Sequence, residues 1–201
     1  MRIKAKKGLI SLLITLCIVS TTVTVNADSA AYGTQGYYNA TIFIQNDLTK
    51  YTSYFEDAID IWNDAGITDR SIEVNTVSSS YITNFKFSDY QEYWEEEIQE
   101  AYGVYEPLTM LPYACNCHRT TSFKISMNET ILDGLNYANE TYNQNERLGA
   151  FVHEFGHTFG LSDYGVIYNG SVMDRNRDFK TIYEPTQTDI ENAIECWSPH
   201  Y

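Results

Sequence analysis

His153, Glu154 and His157 form the short pattern His153-Glu154-Phe155-Gly156-His157, followed by Gly160 and Asp163. Residues four apart on a helix lie one above the other on the same face, so His153 and His157 can each direct a ring nitrogen at one ion. Glu154 lies about 100° around the helix, which puts its carboxylate beside that ion and not on it. Water acidified by zinc needs a neighbouring carboxylate to take its proton, and Glu154 is placed for that role. Gly160 can adopt the left-handed conformation that ends a helix, after which the chain can turn back and offer an oxygen of Asp163 as third ligand. Three protein ligands leave one position for water, the open arrangement of a catalytic zinc site; a structural site would be closed by a fourth side chain. The other reading of Asp163 is an ordinary loop aspartate capping a turn.

The run from His153 to Asp163 resembles the H-E-x-x-H-x-x-G-x-x-H signature of the metzincin metallopeptidases, with aspartate at the third ligand as in the snapalysin group. Further on, Gly170-Ser171-Val172-Met173-Asp174 resembles the Met-turn of that family, whose methionine, here Met173, ten residues after Asp163, forms an apolar floor under the metal. The resemblance implies a matrixin-like α+β catalytic domain: a twisted, mostly parallel sheet with an antiparallel edge strand, a metal-binding helix and a C-terminal helix. It also implies a zinc-dependent endopeptidase acting on polypeptides. Some members place a tyrosine two residues after the Met-turn methionine, but Arg175 stands there in this chain. Tyr164, next to the last ligand, is the remaining candidate for contacting substrate.

The elements that must position these groups can be read from periodicity. Ile42, Phe43 and Ile44 mark a strand within Tyr38–Gln45, and Ser71–Val77 and Tyr81–Phe87 read as further strands. Tyr54, Phe55, Ala58, Ile59, Ile61 and Trp62 make an apolar stripe on a helix over Tyr51–Ala65 that Gly66 ends. Tyr90–Tyr102 reads as an acidic surface helix. Ser122–Leu132 alternates as a strand directly before a metal-binding helix over Asn145–Gly160. By resemblance that strand is the open edge above the active site, able to take an extended peptide through main-chain hydrogen bonds. Pro185–Trp197 reads as the closing helix, capped by Thr186 or Thr188, with Ile190, Ala193, Ile194 and Trp197 on one side.

Residues 1–27 read as a secretory signal: a basic start with Arg2, Lys4, Lys6 and Lys7, an apolar run from Gly8 to Ser20, and Val25-Asn26-Ala27 before cleavage. The apolar run is too short to span a bilayer, which needs about 20 residues. The expectation is a secreted monomer whose residues 28–201 form one catalytic domain, without stable membrane association and without space for an inhibitory prodomain. Cleavage would remove four basic and no acidic residues from a chain of net charge −14. So acidic a protein argues against nucleic acid as partner and fits solubility, cationic substrates or bound calcium.

Cys115, Cys117 and Cys196 would remain, and in an oxidising compartment Cys196 can pair with Cys115 or Cys117. Cys115-Asn116-Cys117-His118 can alternatively be read as a metal cluster, although zinc clusters have wider spacing and more ligands. Asn-x-Ser/Thr sequons occur at Asn39, Asn128, Asn139 and Asn169. Three other functional readings compete with the zinc endopeptidase: a thermolysin-like peptidase taking Glu191 or Glu195 as third ligand, a non-catalytic zinc-containing binding protein, and a small-molecule amidase.

Overall fold

The computed structural model describes residues 34–37, 41–67, 70–86, 101–112, 118–134, 141–163, 170–174 and 177–197. Among these residues, six strands and four helices follow one another as β1 (Thr34–Tyr37), β2 (Thr41–Asn46), α1 (Thr52–Asp64), β3 (Ser71–Val74), β4 (Tyr81–Phe85), β5 (Gly103–Pro112), β6 (His118–Asn128), α2 (Glu129–Asp133), α3 (Gln144–Thr158) and α4 (Gln187–Trp197). The architecture is mixed α and β, in agreement with the expected α+β class.

Strands β3, β2, β4 and β6 lie side by side and parallel. Strand β5 runs antiparallel along the other side of β6, and among the described residues it has no second strand partner. The short β1 pairs in parallel with the first residues of β6, Thr34 opposite His118 and Tyr37 opposite Thr120. The sheet is therefore mostly parallel with an antiparallel edge, but the edge strand differs from the one expected. Strand β6 is flanked on both sides, and β5 forms the edge.

Burial explains the strand patterns. Ile42 and Ile44 are inaccessible while Phe43 between them is 37% exposed, the alternation of a strand with one packed face. Phe123, Ile125 and Met127 of β6 fill the core, and Ser122 and Ser126 are buried on the opposite side, as expected for an internal strand. The expected strand over Ser122–Leu132 stops at Asn128 because the Asn128 side chain accepts from the amides of Thr130 and Ile131, which starts α2. That asparagine is fully buried, so its sequon is not exposed to a glycosylating enzyme in the folded chain.

Helix α1 matches its predicted stripe: Phe55, Ala58, Ile59 and Trp62 are buried, and Tyr54 and Ile61 pack partly against them. It lies on α3 through ring contacts, Phe55 with Phe155 at 5.9 Å and Trp62 with Phe159 at 4.8 Å between centroids. The Trp62 indole also donates to the Val152 carbonyl at 2.8 Å, which satisfies its only polar atom inside the core. Helix α3 begins with a capping box: Asn143 accepts from the Glu146 amide, and Glu146 accepts from the Asn143 amide.

On α4 the buried positions are Asp189, Ala193 and Cys196, whereas Ile194, expected to face inward, is 36% exposed. Thr186 is the cap, reciprocally bonded with Asp189. Of the expected Tyr90–Tyr102 helix, Ala101 and Tyr102 are described and are not helical; residues 90–100 lie outside the described set. The signal segment 1–27, Tyr164, Arg175, Cys115 and Cys117 also lie outside it. No helix among the described residues is long and apolar enough to cross a membrane.

Candidate metal centre

The C-terminal turn of α3 sets the third ligand. Gly160 has φ +89°, as its role at a helix end requires. Its amide bonds to the His157 carbonyl at 3.0 Å and the Leu161 amide to the Gly156 carbonyl at 3.3 Å, the paired bonds of a Schellman ending. The chain reverses there and delivers Asp163 to the face that carries the histidines. Asp163 Oδ1 lies 2.8 Å from His153 Nε2 and 3.7 Å from His157 Nε2. Among the described residues, His153, His157 and Asp163 form the one group of three acidic, histidine or cysteine side chains able to hold a metal ion, with ligand atoms within 4.8 Å of one another. Glu191 and Glu195 are exposed on α4 and do not join them.

The orientation of the two rings tests whether a cation fits. His153 Nδ1 lies 2.9 Å from the Val172 carbonyl and His157 Nδ1 lies 2.7 Å from the Leu161 carbonyl. A carbonyl oxygen only accepts, so each Nδ1 is the donor to its carbonyl and each Nε2 is the ring nitrogen turned toward Asp163. Two imidazole nitrogens and a carboxylate oxygen converging on one point are a donor set that fits a metal ion.

Glu154 is 3% exposed on the next face of α3. It stands against the start of β5, where a Cβ on Gly103 would fall 2.6 Å from Glu154 Cγ and 2.8 Å from its Oε1. Met173 is fully buried, and a Cβ on Gly156 would collide with its sulfur, so this glycine permits the methionine to approach α3 at a position between His153 and His157 in the chain.

The turn that carries Met173 is anchored by a residue that the sequence analysis passed over. Asp189 is fully buried and accepts from the Ser171 hydroxyl, from the Val172 amide at 3.0 Å, and from both the amide and the hydroxyl of Thr186 at 2.8 Å. The Val172 amide it holds belongs to the residue whose carbonyl orients His153. The sequence did carry a signal, since Thr186-Gln187-Thr188-Asp189 is a helix-capping pattern.

Arg177 and Tyr102 were also missed. Arg177 is 4% exposed, and among the described residues no carboxylate comes within ion-pair range of it. Its guanidinium donates to the carbonyls of Ile182, Asp174 and Gly149 at 3.0–3.1 Å and to the Tyr102 hydroxyl at 3.1 Å. It stacks 4.1 Å from the Phe179 ring centroid. The Tyr102 ring stands edge-on to His153 at 5.4 Å. Burial pushes the Tyr102 phenol well above its ordinary range; the Arg177 charge opposes the shift, and the nearby charges of Glu154 and Asp163 add to it. No sequence signal singles out Arg177, Tyr102 or Gly103.

Cys196 is buried, with its sulfur 3.6 Å from the Gly160 carbonyl at the end of α3. The cysteines proposed to pair with it lie outside the described residues.

No family model and no curated protein matches the chain. Among solved structures, the GM1-bound form of the ECX AB5 holotoxin is similar at 14% identity, with 79% of this chain and 80% of that chain covered and a TM-score of 0.41. Similarity at that level assigns neither a family nor an activity.

Proposed function

We propose that this chain is a secreted zinc-dependent endopeptidase of the metzincin type. The convergence of the two Nε2 atoms and the Asp163 oxygen on one point, with Glu154 buried alongside, carries the reading. Three further features support it: the Schellman turn that returns Asp163 to the helix, the buried Met173, and the antiparallel edge strand β5 beside Glu154. Zinc suits two imidazoles and one carboxylate.

Held by His153, His157 and Asp163, zinc would acidify the attacking water and polarise the scissile carbonyl. Glu154 accepts the proton of that water and passes it to the leaving amine; its 3% exposure keeps bulk solvent from competing for the carboxylate. His153 and His157 keep their orientation through the Val172 and Leu161 carbonyls and do not move protons themselves. The side of β5 that has no strand partner among the described residues offers main-chain groups to an extended polypeptide, which suits a substrate bound with modest sequence demands.

The test is to quantify zinc in the purified protein and to follow digestion of unfolded casein with and without a chelator, for wild type and Glu154→Gln. The reading requires near-stoichiometric zinc in both proteins, chelator-sensitive digestion by wild type, and a loss of at least about 100-fold in the variant, within the usual range of a general base. Digestion by Glu154→Gln at the wild-type rate would remove Glu154 from the mechanism. Zinc without release of any fragment would instead indicate a binding protein.

A further inference from the structure

We propose that the first residues of β5 are a fixed wall that positions the Glu154 carboxylate, with Gly103 supplying the space the carboxylate needs. Gly103 is buried, and its φ is not in the left-handed range, so any L-residue could adopt its backbone. Glycine weakens a strand interior because it brings conformational entropy and no side chain to pack. Its presence is explained by what faces it. An added Cβ would lie 2.6 Å from Glu154 Cγ and 2.8 Å from both Cδ and Oε1, closer than carbon atoms approach.

A collision can be relieved from either side, so it matters which side is fixed. The backbone leading to Gly103 is held by Asn128, whose amide nitrogen binds the Tyr102 carbonyl at 2.9 Å and whose side chain donates to the Ala101 carbonyl at 3.1 Å. Gly103 itself pairs with Met127 in the ladder to β6. The Tyr102 side chain is pinned by the Arg177 guanidinium and by the edge of its ring against His153. Asn128 is fully buried and Arg177 nearly so, and neither can yield without leaving polar atoms unsatisfied. The wall is the rigid partner, and the glutamate is the one that would be displaced. Gly103 is thus a positioning residue: it acts on the reaction through Glu154 and touches no substrate in this account.

This inference rests on the peptidase reading for its effect on turnover, and the thermal part of its test stands apart from that reading. The experiment is a double-mutant cycle of Gly103→Ala and Glu154→Ala, with thermal midpoint, zinc content and casein hydrolysis measured for all four proteins. In the Glu154→Ala background there is nothing to collide with, so Gly103→Ala should raise the midpoint, as alanine is better than glycine in a strand. In the wild-type background the same change should lower the midpoint, leave zinc content unchanged, reduce kcat about tenfold or more and shift KM less than about twofold, because a misplacement of about 1 Å at the base is felt mainly in the chemical step.

Equal midpoint shifts in the two backgrounds, or a Gly103→Ala enzyme with wild-type kcat, would overturn the proposal. If Gly103→Ala alone fails to fold while the double variant folds, the coupling is shown in its strongest form; failure of both would count against it. Absence of hydrolysis by wild type would count against the peptidase reading and leave the thermal cycle to decide on the wall.

Discussion

Replacing Asp189 should loosen the metal site from a distance, and the size of the effect can be worked out from its partners. Asp189→Ala removes the acceptor for four donors: the Ser171 hydroxyl, the Val172 amide, and the amide and hydroxyl of Thr186. Thr186 is partly exposed and can turn to water, but Ser171 and Val172 are buried and cannot. A buried donor left without an acceptor costs about 1–3 kcal/mol. Two such donors, with the loss of a carboxylate in the first turn of α4, make about 3–5 kcal/mol. That is a large part of the roughly 5–15 kcal/mol that holds a domain together, and it corresponds to a fall of about 8–15 °C in thermal midpoint for a chain of this size.

The second consequence is at the metal. The Val172 amide held by Asp189 and the Val172 carbonyl that orients His153 flank one residue, so a loosened turn frees the His153 ring. Loss of an outer partner of a metal ligand typically costs 10–100-fold in affinity. With one more bond intervening, about tenfold is expected here. Urea unfolding of the metal-free protein gives the stability change, and competition against a chromophoric chelator gives the affinity. An unchanged unfolding midpoint would refute the hydrogen-bond argument, and a large stability loss with unaltered zinc affinity would break the proposed link from Asp189 through Val172 to His153.

Two further predictions concern single carboxylates. Asp163→Ala should lose zinc on dialysis, an effect larger than that of any outer partner, whereas Asp163→His should retain it; equal metal content in wild type and the alanine variant would show that Asp163 is not a ligand. At the surface, hydrogen bonds from Lys50 and then Tyr51 hold the Asp133 carboxyl below its ordinary value of 3.8. A depressed folded-state value means the stabilisation is fully present above pH 3.8 and is lost as pH falls through the folded value. Acid titrations followed by tryptophan fluorescence should therefore show Asp133→Asn less stable than wild type near neutrality and the two converging in strong acid; a stability gap that widens with acid would contradict the assignment.

The residues brought together as a candidate metal group were legible in the sequence because they lie on one helix and its terminating turn, where spacing alone decides which residues share a face. The strand that backs them was not. Gly103–Pro112 contains Pro107 and Pro112, carries a register shift around Leu108 and shows no clean alternation, so it lacks the ordinary signature of a strand. Its place at the edge is where proline is tolerated, which is visible only once β6 is seen to have partners on both sides. Asn128 reads as one more residue of an alternating run, yet its side chain ends the strand and also clamps Ala101 and Tyr102, residues about 26 positions earlier. Arg177 ties its own stretch, 174–182, to Gly149 and Tyr102 through carbonyls and a hydroxyl, and no local pattern encodes long-range bonds of that kind.

Each active group of the proposed site is oriented by main chain. The Val172 carbonyl fixes His153, the Leu161 carbonyl fixes His157, and the backbone at Gly103 bounds Glu154. A carbonyl can only accept, so neither ring can flip without losing its partner, and both Nε2 atoms stay directed at Asp163. A carboxylate in the same position could take up a proton and release the ring; a peptide group cannot. Precision at the proposed metal site therefore depends on the Schellman turn after α3, on the Asp189-anchored turn around Met173 and on the clamp that Asn128 places on the start of β5. Damage to any one of these should disturb one group selectively: His157 for the first, His153 for the second and Glu154 for the third. Only the third should impair turnover while zinc stays in place.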